Sequence, residues 1–207
     1  MGRYKYPAKV KLVMGLLGAG RENLESARLL LTELYGSEEE VLEPIPFTWT
    51  RYYQAELGEA PWRSFVSYTA LIDRESLVEI KRATNDLEER LAREGLRTVN
   101  LDPGYLTLGQ FFLATTKDQR HRVYIRDGIF VEPTLYFEDG GFHPFEWTYP
   151  DYRSEEYRRY FSAARSKLAY QLRHGGMPHA LRKEGPLRGE PRREGGPAEA
   201  GPRGASS

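Results

Sequence analysis

The segment from Asn100 to Arg122 concentrates the side chains of this chain that are best suited to chemistry. It reads NLDPGYLTLGQFFLATTKDQRHR and brings Lys117, His121 and Arg122 close behind Asp102. Ammonium and guanidinium groups bind phosphates and carboxylates through charge-assisted hydrogen bonds, and imidazole changes its charge near neutral pH. The combination predicts a site for a phosphate or carboxylate, with His121 as the candidate general acid or base if a reaction takes place.

Two other stretches contribute residues to this candidate site. Lys81 and Asn85 lie one turn apart on a predicted helix, on a face beside its apolar stripe. The segment 145–153, FEWTYPDYR, offers aromatic rings that stack on a base or sugar, with polar groups beside them. The predicted ligand-binding residues are Lys81, Asn85, Asn100, Asp102, Tyr105, Thr116, Lys117, Arg122, Trp147, Tyr149 and Asp151.

These residues also have purely structural interpretations, which the sequence leaves open. Asp102 is suited to capping a turn, Lys117 to facing solvent, and Arg122 to pairing across a hairpin. The rings of 145–153 are of a kind that more often packs a loop under a C-terminal helix, because Trp and Tyr bury large areas at such seams. The ligand, any cofactor, the oligomeric state and the existence of a reaction all stay undetermined at this point.

The spacing of the residues in this chain does not match the motifs of several well-known nucleotide and metal sites. Gly15–Glu22, GLLGAGRE, lies between a predicted strand and helix like a phosphate-binding P-loop, but Arg21 and Glu22 stand where that loop needs Lys and Ser or Thr. Thr116-Lys117-Asp118 is one residue short of a guanine-specificity motif. The four histidines have no helical zinc spacing and cysteine is absent, so we predict no metal site and no thiol chemistry.

Composition predicts a cytoplasmic protein with a disordered C-terminal tail. The chain of 207 residues has 30 basic and 30 acidic side chains, so no overall field draws it to nucleic acid or membrane. It contains no apolar run long enough for a membrane span. Residues 174–207 are rich in Gly, Pro, Arg and Glu, which predicts disorder after a single domain at 1–173.

The order of the predicted elements indicates an α+β fold. Strands at 9–17, 41–47 and 65–72 and helices after Asn23 and Asp73 have the βαββαβ order of a ferredoxin-like half once the strand at 97–101 is added. Asp102–Tyr105 has the residues of a type II turn, and 108–115 reads as a short helix. A hairpin around Asp127-Gly128, a strand at 142–147 and a helix capped by Ser154 follow.

Four blocks of the chain carry a family resemblance. LVEIKRATNDLEERLA, RTVNLDPGYLTL, LATTKDQRHRVYIRDGIF and FEWTYPDYRSEEY resemble the bacterial domain-of-unknown-function 4416 family over residues 9–172. Members of that family are sometimes labelled GTP-binding proteins, but it has no established activity, so the resemblance assigns no catalytic residue. It implies a bacterial cytosolic protein.

The leading hypothesis is a protein that binds a phosphorylated small molecule or nucleotide at the candidate site. An RNA- or protein-binding module that uses 145–153 and the Arg-rich tail is the alternative, and a purely structural subunit is the third. RNA has the weaker support because Glu is interleaved with Arg in the tail.

Overall fold

The computed structural model describes residues 2–175, which form one large antiparallel sheet and four helices. The predicted tail beyond Gly175 lies outside the described residues. Along the chain the elements are β1 (Val10–Gly18), α1 (Arg21–Tyr35), β2 (Glu38–Pro46), α2 (Gln54–Leu57), β3 (Trp62–Ile72), α3 (Leu77–Leu91), β4 (Val99–Leu106), β5 (Gln110–Thr115), β6 (Val123–Arg126), β7 (Ile129–Glu138), β8 (Gly141–Pro144) and α4 (Glu155–His174).

The sheet begins with the ferredoxin-like order and is then extended. Its strands run β2-β3-β1-β4-β5-β7-β6, with β8 paired to the far end of β7. The first four are antiparallel neighbours joined by the crossover helices α1 and α3, which is the split βαβ arrangement that the sequence predicts. The α+β prediction is therefore confirmed, including the Pro-containing strand β2 at the sheet edge.

Helices cover both faces of the sheet because successive strand residues alternate in direction. On one face Leu12, Met14 and Leu16 of β1 pack against α1 and α3. On the other face Val13 packs with an aromatic cluster that includes Phe161 of α4. The side chain of Ser154 caps α4 by accepting a hydrogen bond from the Tyr157 amide at 3.4 Å.

The structure corrects the prediction for residues 102–115. Asp102–Tyr105 is not a turn but lies inside β4, and the predicted helix at 108–115 is the strand β5. Thr107 Oγ1 accepts hydrogen bonds from the amides of Gly109 and Gln110 at 3.2 and 2.8 Å, and it closes a hairpin loop. The same bonds would cap a helix, so the local pattern suits both structures.

Within residues 2–175, no helix combines the length and the apolar composition needed to span a bilayer.

Candidate functional site

The candidate site begins where β4 and β5 separate. β4 pairs with β1 along its whole length but with β5 only from Gly104 to Leu106. Beyond that point Leu101 bonds to α3 instead of a strand: Lys81 Nζ donates to its carbonyl at 3.0 Å, and Glu88 Oε1 accepts from its amide at 2.6 Å. Two side chains of one helix thus replace the missing strand.

Pro103 is tolerated in β4 because of this separation. Alternate residues of a strand direct their backbone groups towards opposite neighbours, so Pro103 faces the same side as Leu101, away from β1. No strand formed by residues 2–175 requires an N–H donor from Pro103 on that side, in keeping with the rule that Pro is confined to unpaired edges.

A cavity of about 700 Å³ occupies the gap. Its walls come from α3, β3, β4 and β5, from the loop around Trp49 and Tyr52, and from the loop around Lys117. The turn of 3-10 helix at Pro150–Arg153 closes another side. Elements that are far apart along the chain therefore meet at one concave site of a size typical for small ligands.

The structure brings most of the predicted site residues together on this wall. They are Lys81, Asn85, Asn100, Asp102, Thr116, Lys117, Arg122, Tyr149 and Asp151. Tyr105, His121 and Trp147 are not among the lining residues.

Those three residues contact other parts of the fold. His121 stacks on Trp147 with ring centroids 5.3 Å apart, and His121 Nε2 lies 3.0 Å from Glu132 Oε2. Trp147 Nε1 donates to the Pro133 carbonyl at 2.9 Å. Tyr105 packs against Phe112, with ring centroids 4.9 Å apart. His121 therefore contacts Glu132 of β7 and does not line the cavity. These contacts give no support to a proton-transfer role for His121 at the cavity.

Arg63 organises the first group of polar residues in the cavity. This arginine of β3 is buried and donates to Asp102 Oδ2 at 3.2 Å and to the Tyr152 hydroxyl at 3.1 Å. Burial raises the pKa of Asp151; the positive charge of Arg63 opposes that rise and the negative charge of Asp102 adds to it. The carboxyl groups of Asp102 and Asp151 are therefore both influenced by the positive charge of Arg63.

Tyr53 lies between the polar residues around Arg63 and the exposed ring of Tyr52 at the edge of the cavity. Burial raises the pKa of its hydroxyl, Asp102 adds to that rise and Arg63 opposes it. The ring of Tyr53 contacts Tyr52 edge to face, with centroids 5.0 Å apart. The loop at residues 48–53 therefore carries both the Tyr53 hydroxyl, whose pKa depends on Asp102 and Arg63, and the exposed ring of Tyr52.

Arg97 holds the second group. Its Nη1 donates to Glu88 Oε2 at 3.2 Å and to Asn100 Oδ1 at 3.0 Å, and its Nε donates to Glu56 Oε2 at 2.7 Å. Because Asn100 Oδ1 is an acceptor here, its Nδ2 is the donor end; this atom is buried and has no partner within residues 2–175. Burial raises the pKa of Glu88, and the charge of Lys81 opposes the rise.

Glu132 anchors the loop that carries Lys117. Arg122 Nε donates to Glu132 Oε2 at 2.6 Å, and Arg122 Nη1 donates to the Lys117 carbonyl at 3.0 Å. The ammonium of Lys117 lies 3.2 Å from the Tyr52 hydroxyl and 5.0 Å from the centre of that ring. The guanidinium that the sequence suggested for anion binding is thus already paired, and its loop contacts position the lysine.

The comparisons with known proteins identify a family. The family model described as Domain of unknown function (DUF4416) matches residues 8–168. The chain belongs to this family. The resemblance stated from the four sequence blocks is confirmed. No curated protein and no solved structure matches the chain.

Sequence reasoning missed part of the cavity wall of this DUF4416 protein. The loop TWTRYY at residues 48–53 could have been recognised as part of a binding site, since it places three large aromatic rings within five positions. Arg63 had another signal, because it is the one charged residue in a strand that is otherwise uncharged. Glu88, Arg97 and Glu132 gave no such signal, because charged residues usually face solvent.

The P-loop-like stretch of the DUF4416 chain does not contribute to the cavity. Gly18 ends β1, and a Cβ atom there would lie 2.8 Å from Leu24 Cδ2, so the glycine permits close packing of α1. The Arg21 guanidinium lies 4.1 Å from the centre of the Trp62 ring. Within the described residues of the chain, no group of three or more metal-binding side chains is placed to hold a metal ion.

Proposed function

We propose that this protein binds a phosphorylated small molecule or nucleotide in the cavity between α3, β4 and β5. The observation that carries the proposal is the difference between the arginines and the lysines of the wall. Arg63, Arg97 and Arg122 each have a carboxylate partner. Neither Lys81 nor Lys117 has a carboxylate within 4.0 Å among residues 2–175.

The donors left over are suited to a phosphate group. Lys81 uses one N–H in its bond to Leu101 and retains two. The side-chain ammonium of Lys117 bonds only to the Tyr52 hydroxyl within the described residues. Asn100 Nδ2 adds a buried donor without a partner. Because unsatisfied buried donors are costly, an anion that accepts from Asn100 Nδ2 gains binding energy there. The ammonium groups of Lys81 and of the exposed Lys117 add charge-assisted hydrogen bonds to the same anion.

The test is isothermal titration of the full chain with inorganic phosphate, pyrophosphate and a panel of nucleotides and sugar phosphates. We expect at least one phosphorylated compound to bind, and Lys117→Gln to weaken its binding by about tenfold or more, since a hydrogen bond to a charged group contributes about 1.5–3 kcal/mol. Lys9→Gln is the matched control, because Lys9 is exposed and pairs with Asp73 outside the cavity.

Failure would be clear from two results. Absence of binding by the wild-type protein at millimolar concentration of every compound contradicts the proposal. So does equal affinity of the wild-type protein and Lys117→Gln.

The alternative of an RNA- or protein-binding module gains no support from the aromatic segment. Phe145 and Trp147 stack on each other with centroids 5.0 Å apart, and Tyr152 is buried against Phe65. Only Tyr149 of these rings lines the cavity with an exposed side chain. The tail lies outside the described residues.

A further inference from the structure

We propose that the ligand of the cavity is a nucleoside phosphate, which is bound through its base and its sugar hydroxyls in addition to its phosphate. The proposal rests on the proposed function. The evidence for a nucleoside is two sets of groups on the wall of the same cavity, namely three exposed aromatic rings and two carboxyl groups. Neither set is needed to bind a bare phosphate.

The three rings form an aromatic rim at the cavity. Trp49, Tyr52 and Tyr149 are 48%, 66% and 50% exposed, although large aromatic residues usually bury most of their surface. They come from two separate loops and still line one site. Nucleobases stack on such rings whatever their sequence identity, because every base has a π-face. The aromatic rim therefore suits a flat heterocycle.

The ammonium of Lys117 lies beside one ring of the aromatic rim. Lys117 Nζ is 5.0 Å from the centre of the Tyr52 ring, and Tyr52 contacts Tyr53 edge to face. A phosphate bound by Lys117 thus leaves the rest of its molecule beside aromatic surface. Tyr53 lies in the same electrostatic environment, because burial raises the pKa of its hydroxyl, Asp102 adds to that rise and Arg63 opposes it.

The carboxyl groups distinguish a sugar from a second phosphate. Asp102 uses Oδ2 for Arg63, and its side chain is 27% exposed, so the carboxylate keeps acceptor capacity towards the cavity. Asp151 lies in the same electrostatic group. Negative carboxylates repel a phosphate but accept hydrogen bonds from hydroxyl groups. Vicinal hydroxyls, as in ribose, offer two adjacent donors to this pair.

A second observation supports a ligand with several acceptors at the polar wall. Asn100 is 7% exposed and Arg63 is 4% exposed, and both line the cavity. Asn100 Nδ2 and Arg63 Nε have no hydrogen-bond partner within residues 2–175. Buried donors of this kind are nearly always satisfied in folded proteins, so a ligand rich in acceptors completes the wall.

The test compares three kinds of probe by isothermal titration of the full chain. They are the four ribonucleoside 5′-monophosphates, their 2′,3′-dideoxy counterparts and ribose 5-phosphate. We expect at least one ribonucleotide to bind about tenfold or more tightly than ribose 5-phosphate, because of its base. We expect the same ribonucleotide to bind about tenfold or more tightly than its dideoxy form, because of its hydroxyls.

Two variants assign the effects to residues. Tyr149→Leu should reduce the advantage of the nucleotide over ribose 5-phosphate, and Asp102→Asn should reduce the advantage of the ribo form over the dideoxy form. Tyr124→Leu is the control for the first, because Tyr124 is 57% exposed on β6 and does not line the cavity. Since the ring of Tyr149 is half exposed, its variant should fold, and it keeps the proposal testable if Asp102→Asn does not.

The outcomes separate this inference from the proposed function. If ribose 5-phosphate binds as tightly as every nucleotide, the nucleoside inference is overturned and phosphate binding stands. If no phosphorylated probe binds, both are overturned. If the dideoxy forms bind as tightly as the ribo forms, the role of the carboxyl pair is wrong.

Discussion

Individual side chains at the cavity have roles that depend on their partners rather than on their charge alone. Arg122 and Lys117 are both cationic and five positions apart, yet Arg122 is paired with Glu132 and supports the loop, whereas Lys117 is left without a carboxylate within residues 2–175. Asp102 and Asp151 likewise differ in burial while they share the field of Arg63. The distinction between a positioning residue and a ligand-binding residue is set by these contacts.

Asp151 predicts a particular dependence of stability on pH. Burial raises its folded-state pKa above the ordinary value of 3.8, so the folded state binds the proton more tightly than the unfolded state. Its contribution to the free energy of unfolding therefore decreases as the pH rises from 3.8 through the raised pKa. Asp151→Asn removes that contribution, and we expect the variant to gain stability relative to the wild-type protein across this window.

Urea-induced unfolding at a series of pH values measures the difference. Glu146→Gln is the control, since Glu146 is exposed in the same loop region. A difference between Asp151→Asn and the wild-type protein that shrinks as the pH rises would contradict the assigned direction.

Among the elements, the short pairing of β4 with β5 determines where the cavity opens. Only Gly104–Leu106 are paired to β5, and α3 supplies the backbone partners of Leu101 beyond that point. Gly104 begins this pairing with its backbone close to Phe112: a Cβ atom there would lie 2.3 Å from the Phe112 carbonyl oxygen and 2.7 Å from the Phe111 ring. The glycine is required for close approach and not for an unusual φ angle.

Gly104→Ala should therefore lower the free energy of unfolding by about 1–3 kcal/mol, the usual cost of overpacking. Gly109→Ala is a matched control in the adjoining loop, because nothing lies within 4 Å of its added Cβ. Chemical denaturation of both variants checks this. Equal stability of the two would show that β5 adjusts without cost.

Across the whole molecule, a buried polar cluster around Lys11 joins α4 to the sheet outside the cavity. Lys11 of β1 is fully buried, and its ammonium bonds to Gln171 Oε1 at 2.7 Å and to the Tyr68 carbonyl at 3.2 Å. It also pairs with Glu39 of β2. Burial lowers the pKa of Lys11, and the bond to Glu39 opposes that change. Three strands and the last helix thus meet at one charged group.

Removing one partner of this pair should leave the other charge buried and uncompensated. Lys11→Met is expected to lower the free energy of unfolding by about 3–5 kcal/mol, and the double variant Lys11→Met, Glu39→Met should recover much of that loss. Lys9→Met is the control, because its pair with Asp73 is exposed and contributes less than about 1 kcal/mol. Urea denaturation checks the series, and equal effects of Lys11→Met and Lys9→Met would refute it.

Much of the fold follows from local patterns in the chain. The apolar run of β1, the stripe of α3, the Asp127-Gly128 turn and the cap of α4 each depend on neighbours within a few positions, and they lead to the α+β class and the ferredoxin-like order. Local patterns failed between Asp102 and Thr115. There Pro-Gly and Thr107 suit a turn and a helix, and only the pairing of β4 with β1 and of β5 with β7 selects strands.

The candidate site depends on contacts that no local pattern contains. Residue types alone picked out Lys117, Asp102 and Asp151, because clustered polar groups near apolar segments are conspicuous in a sequence. The pairing of Arg63 with Asp102 spans 39 positions, and that of Arg97 with Glu56 spans 41. Such contacts decide which charges are neutralised and which remain available, since electrostatic partners are set by distance in space and not along the chain.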